Sequence, residues 1–220
     1  MKVTLNHIWP ETITEAKEIQ EKLRSQVIRE DRIDRVKYVA GVDVGFRENY
    51  TIAVGAIAVL DFTNLKTVEK ATASRPTTFP YIPGYLSFRE VPVILDALEK
   101  LTVTPDLILC DGQGIAHPKR IGLASHLGVL IDLPTIGAAK SLFIGRHQQL
   151  GENKGSWQPL VDREEIVGAV VRSRSGVKPI YVSIGHRISL ASAIEYTLAC
   201  TSKYRLPETT RIADRLSREA

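Results

Sequence analysis

Residues 38–46 read YVAGVDVGF, and the assignment of this stretch decides the fold. Tyr38, Ala40, Val42, Val44 and Phe46 recur at period two, the pattern of a buried strand. The opposite face carries Val39, Gly41, Asp43 and Gly45. A carboxylate is disfavoured inside a strand and costly to bury unpaired. The two glycines flanking it on its own face leave open floor, which suits a metal ion with its waters, or a phosphate. The alternative is a salt-bridged core aspartate beside glycines that let the strand bend.

Before this strand, residues 11–30 place Ile13, Ala16, Ile19, Leu23 and Val27 at helical spacing, which predicts an amphipathic surface helix. After it, residues 46–50 are polar enough to turn, 52–60 form a nearly continuous apolar strand, and 65–72 a third strand. Short connections predict an antiparallel three-strand meander. A loop over 74–87 contains FPYIPG and leads into a helix over 88–101, with Val91, Ile94, Leu95, Leu98 and Leu101 in one stripe. Residues 105–111, PDLILCD, form a buried strand ending on an aspartate. GQG breaks the chain, and a basic helix-like stretch begins at His117. Residues 129–138 supply a further short strand or two, and 145–156 a polar loop. Segments 166–172 and 179–184 pair as a hairpin, and helices near 189–203 and 208–218 close the chain. Three antiparallel strands followed by alternating helices and strands argue for an α/β fold. It has one mixed sheet, its later strands parallel, with helices on both faces.

Hydrophobic residues make up 44% of the 220 positions, enough for one sizeable core, so a single domain over 1–220 is expected. A net charge of +4 permits a polyanionic partner without demanding one. Cys110 lies in an apolar run and reads as a core residue. With only Cys200 besides, no disulfide framework is expected, which fits a reducing compartment. The opening MKVTLNHIWPETIT lacks a signal-peptide core and no apolar run has membrane length. A cytoplasmic chain with no membrane partner is the expectation.

Four acids stand out. Asp43 lies on the quoted strand, and Asp111 at a strand's C-terminal end, where ligands bind in open α/β sheets. Gly112 and Gly114 would let backbone approach such a ligand. Glu90, in the first helical turn, either points toward the sheet or complements the helix dipole. Asp214 sits among Arg211, Arg215 and Arg218, where an exposed ion pair is the plain alternative. Several carboxylates without a Cys/His cluster suit Mg²⁺ or Mn²⁺ rather than zinc. His117, beside Lys119 and Arg120, could meet phosphate or be a lone surface histidine. Tyr81 stands between Pro80 and the Ile82–Pro83 pair on a loop those prolines stiffen. Rigid aromatic or apolar wedges part stacked bases in some proteins. The alternative is a tyrosine folded back onto the core edge.

The segments VAGVDVGF, FPYIPGYLSFRE, ILCDGQGIAHPKRIGLASHLG, PTIGAAKS, SIGHRIS and RLPETTRIAD, in this order, resemble endonuclease V over about residues 37–214. The resemblance implies a ribonuclease H-like fold and a DNA-repair endonuclease acting on deoxyinosine, the product of adenine deamination. It implies Mg²⁺-dependent hydrolysis of the second phosphodiester 3′ to the lesion, leaving 3′-hydroxyl and 5′-phosphate ends. Asp43 and Asp111 match the family's metal-binding aspartates, Glu90 its catalytic glutamate, and Lys140 a lysine near the scissile phosphate. Tyr81 matches the wedge tyrosine, and Gly84, Leu86 and Gly112 match backbone around the lesion pocket. Asp214 aligns with a fourth active-site position that is histidine in some members. Some relatives act on RNA, so an inosine-directed ribonuclease is the first alternative. A monomer is the expected state. A non-catalytic nucleic-acid-binding module would lack one or more core acids, and all are present. GVDVG also resembles the phosphate turn of sugar kinases and actin, but those need a second domain and a second phosphate loop.

Overall fold

A computed structural model describes residues 7–220. The leader reading of the first residues falls, up to position 6, outside the described residues. The quoted stretch is β1, Tyr38–Arg47. It pairs antiparallel with β2 (Ile52–Asp61), which pairs antiparallel with β3 (Thr67–Pro76). On its other side β1 pairs in parallel with β4 (Leu107–Cys110), and β4 with β5 (Thr135–Ala139). Three more strands, β6 (Trp157–Asp162), β7 (Glu165–Val171) and β8 (Ile180–His186), extend the sheet antiparallel beyond β5. The order is β3-β2-β1-β4-β5-β8-β7-β6. The expected meander and parallel strands are therefore present, and the far edge returns to antiparallel pairing. All four residues of β4 are buried, as a central parallel strand covered on both faces requires.

Helices α1 (Ile13–Arg24), α2 (Leu86–Leu98) and α3 (Leu123–Ile131) serve one face; α4 (Leu190–Ala199) and α5 (Glu208–Glu219) cover the other. Ala40 and Val42 join the core with Ile94, Leu98 and Leu127. Val39 joins the opposite core with Leu107, Leu109 and Ile194. The period-two reading of β1 thus separates the two faces correctly. No helix among the described residues is long and apolar enough to cross a membrane. Both cysteines are buried.

Several expected boundaries move, each for a local reason. α1 is shorter than 11–30: the Thr12 hydroxyl accepts from the Glu15 amide at 3.2 Å, and Glu15 accepts from the Thr12 amide at 3.1 Å, which sets its start. It ends at Ser25, and Val27 packs on the core from outside the helix. The basic stretch from His117 is not helical. Pro118 pushes His117 away from helical angles, and Arg120 adopts a left-handed φ of 58° before α3 starts at Leu123. Residues 129–131 finish α3 rather than begin a strand, and Asp132, at φ 53°, stops the helix. The third strand runs on to Pro76, into the expected loop. β6 was absent from the expected strands; its WQPLVD carries a proline, tolerable because β6 is an edge.

Candidate active site

Asp43 faces α5. A Cβ on Gly41 would lie 2.1 Å from the carbonyl carbon of Thr209, and one on Gly45 2.9 Å from the carbonyl oxygen of Ser217. The open floor inferred from these glycines is therefore filled by helix backbone, not by an ion. Their missing side chains let α5 lie directly on β1, and that seating brings Asp214 and Ser217 to Asp43. The Ser217 hydroxyl donates to Asp43 Oδ2 at 2.8 Å, with the Asp214 carbonyl oxygen 2.9 Å away as alternative acceptor.

Asp111 follows β4, the parallel neighbour of β1, and its amide donates to the Val42 carbonyl at 3.3 Å. One carboxylate oxygen each of Asp43, Asp111 and Asp214 lie within 4.8 Å of one another. Lys140, directly after β5, bonds its ammonium to Asp111 Oδ2 and stands 3.6 Å from Asp214 Oδ1. Arg218 donates to the same Asp214 oxygen at 2.8 Å. Asp214 thus belongs to the cluster as well as to a surface pair. Glu90 is buried on α2 and feels the charge of both Asp43 and Asp111, although its oxygens are not among the converging three. It is no solvent-facing dipole partner.

Burial, then mutual repulsion, raises the carboxyl pKa of Asp43. Burial does the same for Asp111 against the pull of Lys140, and it raises Glu90 well above the usual range. Burial pulls the Lys140 ammonium down, but the bond to Asp111 and the neighbouring carboxylates hold it above its ordinary value. These crowded, oxygen-only donors hold more negative charge than Lys140 and Arg218 offset, so the set fits a hard divalent cation.

A consequence is testable without substrate. A carboxyl whose folded pKa exceeds its unfolded value loses the fold stability as pH rises through the raised value. In EDTA, Glu90→Gln should match the wild type at acid pH and become progressively more stable than it as pH rises. Urea midpoints across a pH series check this; a gap that closes on the alkaline side would refute it.

Beside the carboxylates lies a cavity of about 370 Å³ whose lining includes Tyr81, Pro83, Leu86, Gly112, His117 and Lys140. Its roof is the FPYIPG loop. Phe79 and Ile82 pack on Ala16 of α1 and Phe88 of α2, and Gln20 donates to the Gly84 carbonyl at 2.7 Å. Gly84 holds φ +87°, a left-handed angle that a side chain would strain. Both ends of the loop are pinned, Pro80 is exposed, and Tyr81 stands out 70% exposed rather than folded back. His117 is a buried wall of the cavity, not a surface residue, and burial lowers its pKa to about 4. A neutral imidazole offers hydrogen bonds rather than a cation for phosphate. Gly114 serves packing, not ligand approach: its amide donates to the Ser183 hydroxyl at 2.8 Å, and a Cβ there would sit 1.9 Å from the Ile184 carbonyl oxygen.

Sequence reasoning missed Ser217, Gln113 and Phe143. Ser217 is three residues beyond Asp214 and so shares its helix face, a signal that was available. Gln113 and Phe143 line the cavity, and the Phe143 ring lies 5.6 Å from that of His117. No local pattern marks either residue.

The endonuclease V family model matches residues 21–215. Endonuclease V of Trichormus variabilis is 63% identical over 218 residues, spanning 99% of both chains. The crystal structure of endonuclease V from Streptomyces avermitilis superposes with a TM-score of 0.92 at 48% identity, covering 96% of this chain and 93% of that one. Endonuclease V of Ciona intestinalis, in complex with a 23mer DNA containing an inosine followed by a ribo-adenosine, superposes with a TM-score of 0.84. Its identity is 34%, covering 96% of this chain and 98% of that one. The match of a family model to nearly the whole chain, together with these likenesses, shows that the chain belongs to the endonuclease V family.

Proposed function

We propose that this chain is a Mg²⁺-dependent DNA-repair endonuclease that recognises deoxyinosine and hydrolyses the second phosphodiester 3′ to it, leaving 3′-hydroxyl and 5′-phosphate ends. The observation that carries the reading is the convergence of the Asp43, Asp111 and Asp214 oxygens beside a cavity roofed by Tyr81. Asp43 and Asp111 hold the cation, with Asp214 and Glu90 completing the acidic set; Mn²⁺ substitutes. Bound Mg²⁺ supplies water activation and stabilisation of the leaving oxygen. Lys140 offsets charge developing on the phosphate. The cavity wall of Leu86, Gly112 and His117 reads the extruded base, with Gly84 shaping the loop beside His117, while Pro80 and Pro83 stiffen and Ile82 anchors the Tyr81 wedge. The Ciona relative's inosine-containing complex supports the substrate class, and its ribo-adenosine makes inosine RNA a substrate to include in the test.

One denaturing gel tests the reading. End-labelled DNA and RNA, with and without one inosine, are incubated with Mg²⁺, Ca²⁺ or EDTA. A single nick two phosphodiesters 3′ to inosine, with Mg²⁺ and not EDTA, is expected. Cutting that ignores inosine, or persists in EDTA, would overturn it.

Tyr81→Ala should weaken binding to duplex deoxyinosine DNA by the few kcal/mol, roughly, that offset unstacking. The defect should shrink on single strands, and Tyr81→Phe should retain most function, because the ring does the wedging. Titrations of both variants against duplex and single strand decide it. Unchanged duplex affinity and selectivity in the alanine variant would make Tyr81 a mere surface cover.

A further inference from the structure

A second cavity, of about 610 Å³, opens on the other side of the Tyr81–Leu86 wall. Phe46, Tyr50, Arg89 and Glu90 complete its lining. It therefore shares one wall with the lesion cavity and touches the acidic centre through Glu90. The reading above gives it no occupant.

The turn that presents Tyr50 is built unusually. Glu48, Asn49 and Tyr50 all adopt left-handed angles, with φ of 47°, 53° and 68°. Asparagine tolerates this region, but for glutamate and tyrosine it is unfavourable. Four bonds hold the conformation: the Tyr50 carbonyl accepts from Arg89 Nη2 at 2.5 Å and from the Thr77 hydroxyl at 3.0 Å, and the Glu48 carbonyl accepts from the Thr51 hydroxyl at 2.7 Å and the Thr51 amide at 3.2 Å. Arg89 is itself only 9% exposed, and its guanidinium lies 4.6 Å from the centre of the Phe46 ring. The result is a fixed turn whose tyrosine remains 69% exposed beside Phe46, ring centres 6.0 Å apart. A hairpin needs no exposed aromatic at such a position; glycine would adopt it freely.

Two exposed tyrosines on pinned loops, facing one cavity, make a stacking platform for a flat ring. Nucleobases stack on such platforms whatever their sequence. On the proposed cleavage pattern, one nucleotide lies between the lesion and the scissile phosphate. Its ends are tied to the lesion cavity and to the acidic centre, and the second cavity adjoins both. We infer that this cavity is a second nucleobase subsite, which takes the base immediately 3′ to deoxyinosine on the cleaved strand, with Tyr50 as its platform. The inference rests on the deoxyinosine reading of the site.

Two single-stranded deoxyinosine oligonucleotides test it, identical except that one carries an abasic tetrahydrofuran residue directly 3′ to the lesion. Affinities are measured in EDTA against a control lacking deoxyinosine. The wild type should bind the abasic strand about tenfold or more weakly, the range of one base stacked on an aromatic. Tyr50→Ala should lose the same factor on the intact strand and nothing further on the abasic one, whereas Tyr50→Phe should match the wild type. Tyr50→Gly, which suits the left-handed angle, should melt at a higher temperature than Tyr50→Ala and bind as poorly. If Tyr50→Ala binds the intact strand like the wild type, if its loss adds to the abasic loss, or if Tyr50→Gly restores binding, the subsite is overturned. A wild-type chain with no preference for deoxyinosine would overturn the proposed function, and the subsite with it; a preference without sensitivity to the abasic residue would overturn the subsite alone.

Discussion

Replacing Asp43 by alanine, or Asp111 by asparagine, is expected to lower the nicking rate by roughly a thousandfold or more while inosine DNA is still bound. Each variant removes one negative charge from the three acids whose oxygens converge within 4.8 Å, the set that would hold the cation. Binding should persist or tighten, because negative charge is withdrawn from where a phosphate would sit. The fold should tolerate the change. Asp43 and Asp111 stand among carboxylates that raise one another's pKa, so deleting either relieves repulsion in the metal-free chain. Gel assays across a Mg²⁺ titration, paired with filter binding in EDTA, separate the two effects. Near-wild-type cleavage by either purified variant would refute the assignment. Asp214→Ala should also raise the Mg²⁺ requirement strongly. Were Asp214 only the exposed partner of Arg218, its loss would cost about 0–1 kcal/mol of stability and leave catalysis unchanged.

Gly41→Ala is expected to cost about 3 kcal/mol or more of stability and to abolish cleavage together with it. The added methyl would meet the Thr209 carbonyl carbon at 2.1 Å, its oxygen at 2.2 Å and the Thr210 amide nitrogen at 2.5 Å. These are backbone atoms of α5, and no rotamer change can move them aside. The helix must lift, taking Asp214 away from the centre and Ser217 away from Asp43. Urea unfolding and a cleavage assay on the same preparation check the prediction. An alanine variant as stable as the wild type would show that α5 does not depend on Gly41 for its seat.

The local pattern of the chain determined a good deal by itself. Alternation in 38–46 decided which residues of β1 face which core, and the stripe of Ile94, Leu95 and Leu98 located α2. The apolar run ending on Asp111 placed a carboxylate at the exit of a buried central strand. Paired prolines around Tyr81 announced a stiff, protruding aromatic. Each of these follows from chemistry within a few residues. Where local signals compete, the reading slipped: the basic character of the stretch from His117 suggested a helix, while Pro118 and the turn at Arg120 forbade one. Only the tertiary structure decided what the glycines beside Asp43 are for. An absent side chain looks the same in sequence whether an ion, a ligand or a helix takes the space. Here α5, closing the chain some 170 residues later, takes it, as the bond from Ser217 to Asp43 records. Likewise, Glu90 and Asp214 look in sequence like ordinary surface acids at a helix start and in a basic stripe. The burial of Glu90, and the acids and lysine that meet both, come from strands and helices distant along the chain, and no local pattern encodes which of those elements will be adjacent.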